Sequence, residues 1–329
     1  MADVHGISVA LLRPLAELLG RLEIDSSAFL GSFGIDAETA PNTYIAGAAV
    51  DARLDDIARS RRDPTFALTL ARAAVIRPLG LFGHMVWLSG TVRDALTRAA
   101  RFYAMVTSRT TLTLDETASR ATLRQHSVPG VAHGKILTEF AFASLALRAR
   151  RATGGRFKLH AASFTHGSDR STRAAYRAVF GVPVGFAAGA DEIAFDAEQL
   201  DLPLETADEV TSAALETTIV QLTGARPRSV LLDRVRRAAA PSLGDVVSLA
   251  TIAGRLGTSA RTLRRHLEQE GLSLRTIIDE LRRERADELL AAGTPIKEIA
   301  FGLGFSEPSA FSRAYKRWTG KAPRLRRVT

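Results

Sequence analysis

Residues 294–320 read TPIKEIAFGLGFSEPSAFSRAYKRWTG. Thr294 and Pro295 are a helix start, because a capping hydroxyl precedes a proline whose missing N–H costs nothing in the first turn. Ile296, Ile299, Ala300 and Leu303 fall at i, i+3, i+4 and i+7, one face of a helix. Gly304 ends it, and Ser306 is the expected cap of a second helix over Glu307–Thr319 with Phe311 and Tyr315 turned inward. Two short helices joined by a tight turn with glycine make a helix-turn-helix, and Ala300 is small enough to let them cross closely.

The same arrangement occurs 47 positions earlier. Residues 248–271 read SLATIAGRLGTSARTLRRHLEQEG. Leu249, Ile252, Ala253 and Leu256 repeat the apolar face, Gly257 repeats the turn, and Ser259 caps a helix with Leu263 and Leu267 inward. One such match is weak evidence, since any helical hairpin imitates it; a tandem pair is far more specific. Between the copies, Leu274, Ile277, Ile278, Leu281, Ala286, Leu289 and Leu290 form an amphipathic stripe, so a long helix connects them. On such a stiff connector, two recognition helices can enter successive major grooves roughly 34 Å apart.

Charge points the same way. Residues 1–227 hold 24 Lys and Arg against 24 Asp and Glu; residues 228–329 hold 20 against 11. The entire excess of +9 therefore lies in the last third. A basic module on a neutral one fits a polyanion partner. Charge alone does not separate nucleic acid from an anionic membrane or a merely solvated surface; the repeat does.

The chain of 329 residues, 46% hydrophobic and 24% charged, has enough apolar residues for real cores. With no cysteine, disulfides, thiolate metal sites and thiol nucleophiles drop out together. The first residues do not read as a signal peptide, and the apolar run Phe140–Leu147 is far shorter than the roughly 20 residues of a membrane span. There is no Gly-x-x-x-x-Gly-Lys loop, no Gly-x-Ser-x-Gly elbow and no His-Glu-x-x-His pair. We therefore expect no catalytic residues, no metal and no cofactor: a protein that is not an enzyme.

Upstream the pattern is mixed α and β. Helical stripes run over Val9–Leu22, Pro64–Val75, Val92–Val106 (capped by Thr91) and His133–Arg151. Thr110–Gln125 alternates as a hairpin, Phe157–Phe164 as a strand, Ser171–Phe180 is a short helix closed by Gly181, and Val184–Phe195 suggests two short strands. Gly224 and Pro227 among polar residues mark a boundary. The expected organisation is a mixed α+β domain over 1–221, a linker over 222–228, and an all-α domain over 229–329. In the latter, the helix-turn-helix units span about 248–270 and 295–319, and the connecting helix about 273–292.

The stretch Val230–Arg327 resembles the DNA-binding domain of the AraC/XylS family of bacterial regulators. The resemblance is carried by Arg261–Gly271, Glu280–Leu290, Ile296–Gly320 and Pro323. Arg324-Leu325-Arg326 departs from the small or polar residue and aromatic usual in the family. The N-terminal part more weakly resembles the arabinose-binding-type sensor domain of such regulators, through Arg77–His84, Leu88–Leu96, and Phe180–Phe186 on to Asp201–Leu204. The resemblance implies a ligand-responsive activator that binds double-stranded DNA in the bacterial cytoplasm, at the nucleoid. It further implies a small-molecule effector and RNA polymerase as partners, and it leaves a homodimer open.

With Leu263 and Leu267 inward, Arg261, Arg264 and Arg265 face outward, and the resemblance puts base reading on them. Arginine forks suit guanine O6 and N7. On the second helix Ser309, Ser312 and Arg313 face outward, and the resemblance makes Ser309 and Arg313 the best base readers, while Lys316, Arg317, Lys321 and the tail Arg324, Arg326 and Arg327 suit phosphates. For each arginine of the first helix the bland alternative is a phosphate contact or a solvated charge, and Trp318 reads as core. For the effector, the polar and aromatic residues of apolar stretches are the candidates: His84, Trp87, Tyr103 and His133, each otherwise an ordinary core or surface residue. Two competing readings are a constitutive binder with no effector and a sequence-neutral architectural protein.

Overall fold

The computed structural model describes residues 5–75, 79–128, 130–223, 230–245, 247–269, 272–291, 293–319 and 322–323. It divides into two compact units, Met1–Arg228 and Ser229–Thr329.

The first unit runs β1 (Gly6–Ser8), α1 (Val9–Gly20), α2 (Ser26–Gly31), β2 (Tyr44–Ala46), α3 (Gly47–Ser60), α4 (Phe66–Ala74), α5 (Gly80–Trp87), α6 (Val92–Phe102). It continues with β3 (Thr110–Glu116), β4 (Arg120–Ser127), α7 (Lys135–Ala152), β5 (Ala161–Ser163), α8 (Arg173–Phe180), β6 (Val184–Gly185), β7 (Asp191–Asp196) and α9 (Glu209–Thr223). Its larger sheet has the order β3-β4-β7-β5-β6, antiparallel except for the β5–β6 pair. In β4, Ala121, Leu123 and Gln125 are buried while their neighbours are not, the period of two of a sheet with one covered face. Leu123 pairs with Leu114 on one side and Ile193 on the other. Helix α7 contributes Phe140, Phe142, Ala143, Ala146 and Ala149 to the core and packs against α4.

The helix starts follow local chemistry. Thr91 Oγ1 accepts the Asp94 amide at the head of α6, and Gly181 closes α8 in the left-handed region, φ +78°. The strand expected over Phe157–Phe164 is shorter: only Ala161–Ser163 is paired, while Phe157 and Leu159 are buried ahead of it. The helix expected to reach Val106 ends at Phe102 and tightens into a turn over Tyr103–Met105. Helices α2, α3, α5 and α9 and the small β1–β2 sheet have no clear counterpart in the sequence reading.

The second unit is helical: α10 (Val230–Ala239), α11 (Leu249–Arg255), α12 (Ala260–Gln269), α13 (Leu274–Ala291), α14 (Ile296–Gly302) and α15 (Pro308–Thr319). It contains two separate cores. Val235, Ile252, Leu263, Leu267, Ile277 and Ile278 form one; Ala286, Leu290, Ile299, Leu303 and Phe311 form the other. Helix α13 gives its first half to one and its second half to the other. Arg236 of α10 ion-pairs with Glu280 (3.1 Å) and Glu284, fixing α10 on α13.

Candidate nucleic-acid interface and ligand cavity

Helices α11 and α12 are joined by a short turn. Leu256 ends α11, Gly257 follows at φ +66°, and Ser259 Oγ accepts the Thr262 amide to start α12. Leu263 and Leu267 are buried, and Arg261, Arg264 and Arg265 are consequently exposed. None of the three arginines has an ion pair or hydrogen bond among the described residues. A guanidinium held in water on a rigid helix, with no carboxylate to leave, is open to a phosphate or a base edge.

Helix α15 is built alike but dressed differently. Its cap is displaced by one turn residue: α15 begins at Pro308 rather than Glu307, because proline at the first position needs no amide partner. Phe311 is buried, and Tyr315 donates from its hydroxyl to Asp287 Oδ1 on α13 at 2.6 Å. Burial, then the Asp287 carboxylate, pushes that phenol up to about 12. Ser309 and Arg313 are exposed, yet Arg313 reaches Glu307 (3.2 Å), and Ser309 donates to the same carboxylate. Hydrogen bonds from Ser309 and Arg313 hold the Glu307 carboxyl below its ordinary range. Ser312 is half-buried and bonds back to the Pro308 carbonyl. Lys316 is exposed, and Arg317 lies 3.4 Å from Asp279. Trp318 packs beside Phe305 in the core. Lys321, Arg324, Arg326, Arg327 and residues 224–228 of the expected linker lie outside the described residues, as does Arg77.

A contact that sequence reasoning missed joins the two helix-turn-helix units. Arg282 of α13 donates from Nε and Nη2 to the Leu243 carbonyl, at 3.3 and 3.2 Å, ahead of α11. The same guanidinium lies 5.3 Å from the ring centre of Phe305 in the second turn. Beside it the backbones of Gly244 and Gly304 meet: a Cβ on Gly304 would come within 2.8 Å of the Gly244 carbonyl oxygen. Arg282 stands in the run Arg282-Arg283-Glu284-Arg285, and nothing in that run singles it out in the sequence.

In the first unit, a cavity of about 160 Å³ opens between α5, α6, α7 and the sheet. Trp87, Tyr103 and His133 are on its wall; His84, on the same helix as Trp87, is not. Leu79, Phe82, Val86, Leu137, Phe140 and Leu145 are among its apolar members. The polar wall groups are largely engaged. Tyr103 donates to Gln125 Oε1 (3.2 Å), and Gln125 donates to Thr138 (3.1 Å). Burial pushes the Tyr103 phenol up to about 12. Arg109 pairs with Asp51 at 2.7 Å and donates to the Ala132 carbonyl. Arg148 donates to the Ala74 carbonyl; burial, with the nearby charge of Arg151, brings it down to about 10. His133 bridges Ser127 (2.9 Å) and Asp191 (3.1 Å). Burial alone would raise the Asp191 carboxyl, but hydrogen bonds from His133 and Thr165 hold it below its usual range. Arg109 and Arg148 went unnoticed in the sequence, although Arg148 follows directly on the apolar run of α7.

Among the described residues, no group of acidic and histidine side chains is arranged to hold a metal, and no helix is long and apolar enough to cross a membrane.

Known proteins resemble both units. Residues 24–204 match the family described as the arabinose-binding domain of AraC transcription regulator, N-terminal, and residues 252–327 match a helix-turn-helix domain family. The ornithine utilization regulator of Pseudomonas aeruginosa is 30% identical over 264 residues, covering 79% of this chain and 78% of that protein. The regulator VirS of Mycobacterium tuberculosis is 29% identical over 319 residues, covering 95% of this chain and 93% of its own. A crystal structure of the regulator CdpR from Pseudomonas aeruginosa aligns over 94% of this chain and 95% of its own, at 21% identity and a TM-score of 0.41.

Proposed function

Since this chain belongs to the AraC family of DNA-binding transcription regulators, we propose that it is a ligand-responsive activator reading two successive major grooves with α12 and α15. The observation that carries this reading is the set of three exposed, uncommitted arginines on α12, Arg261, Arg264 and Arg265. In this reading those three meet base edges, with Ser309, Ser312 and Arg313 as the weaker second set. Lys316, Arg317 and Lys321 meet phosphates, which position the protein without selecting sequence. The tether of Arg313 to Glu307 must be exchanged for a DNA contact, which is why the second helix reads more weakly.

The effector occupies the cavity beside Trp87, Tyr103 and His133. Its binding shifts the first unit between two arrangements, and DNA affinity changes only as far as the ligand prefers one of them. RNA polymerase is the further partner, a homodimer is compatible with this scheme, and the place of action is the bacterial cytoplasm at the nucleoid. No catalytic step belongs to the reading.

Selection of binding sites from a random DNA library, followed by footprinting with and without candidate metabolites, tests it. We expect a preference of roughly 10³ or more for the selected site over random DNA at fixed salt. Equal affinity for all sequences would refute specific reading. Footprints that no small molecule alters would leave a constitutive binder instead.

A further inference from the structure

The cavity of the first unit also constrains what it takes. We propose that its ligand is a small, mostly apolar molecule with a single hydrogen-bonding group, aromatic or branched in its body, and not a pentose or other polyol. This rests on the reading of that cavity as the effector site.

Size comes first. About 160 Å³ is close to the roughly 150 Å³ of an engineered apolar cavity that stays dry and takes benzene, so a body on the order of six to ten heavy atoms fills it. A pentose satisfies that limit too, so polarity must decide. The wall is built mainly from aliphatic and aromatic side chains. Its polar members already have partners within the protein: Tyr103, Gln125 and Thr138 form one chain of hydrogen bonds, and Arg109 is paired with Asp51. The buried polar atoms of the wall that lack a hydrogen-bond partner among the described residues are Ser144 Oγ and Arg109 Nε. Arg109 Nε is closed off by backbone, since a Cβ on Gly47 would come within 2.4 Å of it. That leaves Ser144 Oγ, on the α7 side, which is buried without a partner and meets one polar group of a ligand once its side chain turns into the cavity. A pentose carries a hydroxyl on nearly every carbon. Each one buried without a partner weakens binding by about tenfold or more, because its water is lost and not replaced. A phenol-like molecule loses nothing of that kind and keeps its ring against Trp87, Phe82 and Phe140.

Calorimetry on the full chain with 4-ethylphenol and L-arabinose, two molecules of similar size, separates the alternatives. We expect 4-ethylphenol to bind at least about tenfold more tightly than L-arabinose. Ala141→Phe, which puts a ring into the cavity, should weaken 4-ethylphenol by about tenfold or more, and Ser144→Ala should weaken 4-ethylphenol but not ethylbenzene. If Ala141→Phe does not fold, the Trp318→Phe protein leaves Trp87 as the one tryptophan, whose emission should respond to 4-ethylphenol and not to L-arabinose. Tighter binding of L-arabinose, or 4-ethylphenol binding that neither Ala141→Phe nor Trp87 emission registers, overturns the proposal. A footprint on the selected DNA site is run beside these titrations and bears on the effector role alone. L-arabinose that binds and shifts the footprint would keep the effector role and sink the ligand class. Apolar ligands that fill the cavity with no change in any footprint would do the reverse.

Discussion

Arg264 stands on the outer face of α12 with its guanidinium in water, and its neighbours Leu263 and Leu267 leave it no other direction. Arg264→Ala should cost about 1–3 kcal/mol at the selected site and relax one base position, measured by competition across single-base variants. A uniform loss on all sequences would reduce Arg264 to a phosphate contact. Lys316→Ala should give that uniform loss, with the slope of log affinity against log salt reduced by about one. The outward arginines could be picked out from the sequence, because two inward leucines at helical spacing define the opposite face. The tether of Arg313 to Glu307 could not, since a side chain's choice between solvent and a neighbouring carboxylate depends on rotamers that periodicity does not encode.

At the level of elements, the two turns invite a comparison. Gly257 and Gly304 both have positive φ, +66° and +79°, where an L side chain is strained. A Cβ on Gly257 meets nothing within 4 Å, whereas on Gly304 it meets the Gly244 carbonyl. Gly257→Ala should therefore cost about 1 kcal/mol and Gly304→Ala about 3 kcal/mol, read from denaturant midpoints. Equal costs would mean that the Gly244 contact is not tight. A second test concerns the link between α7 and the loop after β5. Burial pulls the His166 imidazole down, but its ion pair with Glu139 at 3.1 Å prevails, and its pKa is raised. A raised histidine stabilises below its unfolded value near 6.5 and loses that contribution as pH climbs through the folded value. The wild-type melting temperature should thus fall from pH 6 to pH 8 more than that of His166→Asn. Helices with strong apolar stripes, such as α1, α6 and α11 to α15, were legible in the sequence, although the cap expected at Thr294 falls on Pro295, which makes no side-chain hydrogen bond; α3, α5 and α9 were not, because their burial is set by partners far away in the chain. The strand at Phe157 was overread: its aromatic residues are buried by packing without joining the ladder.

For the C-terminal module as a whole, the decisive feature is that two cores share one helix and Arg282 closes the gap between them. Arg282→Met should leave each half folded, yet flatten the dependence of affinity on the spacing between the two halves of the selected site. Binding to DNA with two, one or no base pairs added between the halves checks this; an unchanged spacing optimum would show that α13 alone sets the geometry. The approach of Gly244 to Gly304 has a wider implication. This close approach of main chain, with the Arg282 bridge beside it, fixes the angle at which the two reading helices are offered, whereas the letters they recognise are read by outward side chains that no core depends on. Such a protein can drift toward new operators one base at a time, provided that neither glycine acquires so much as a methyl group.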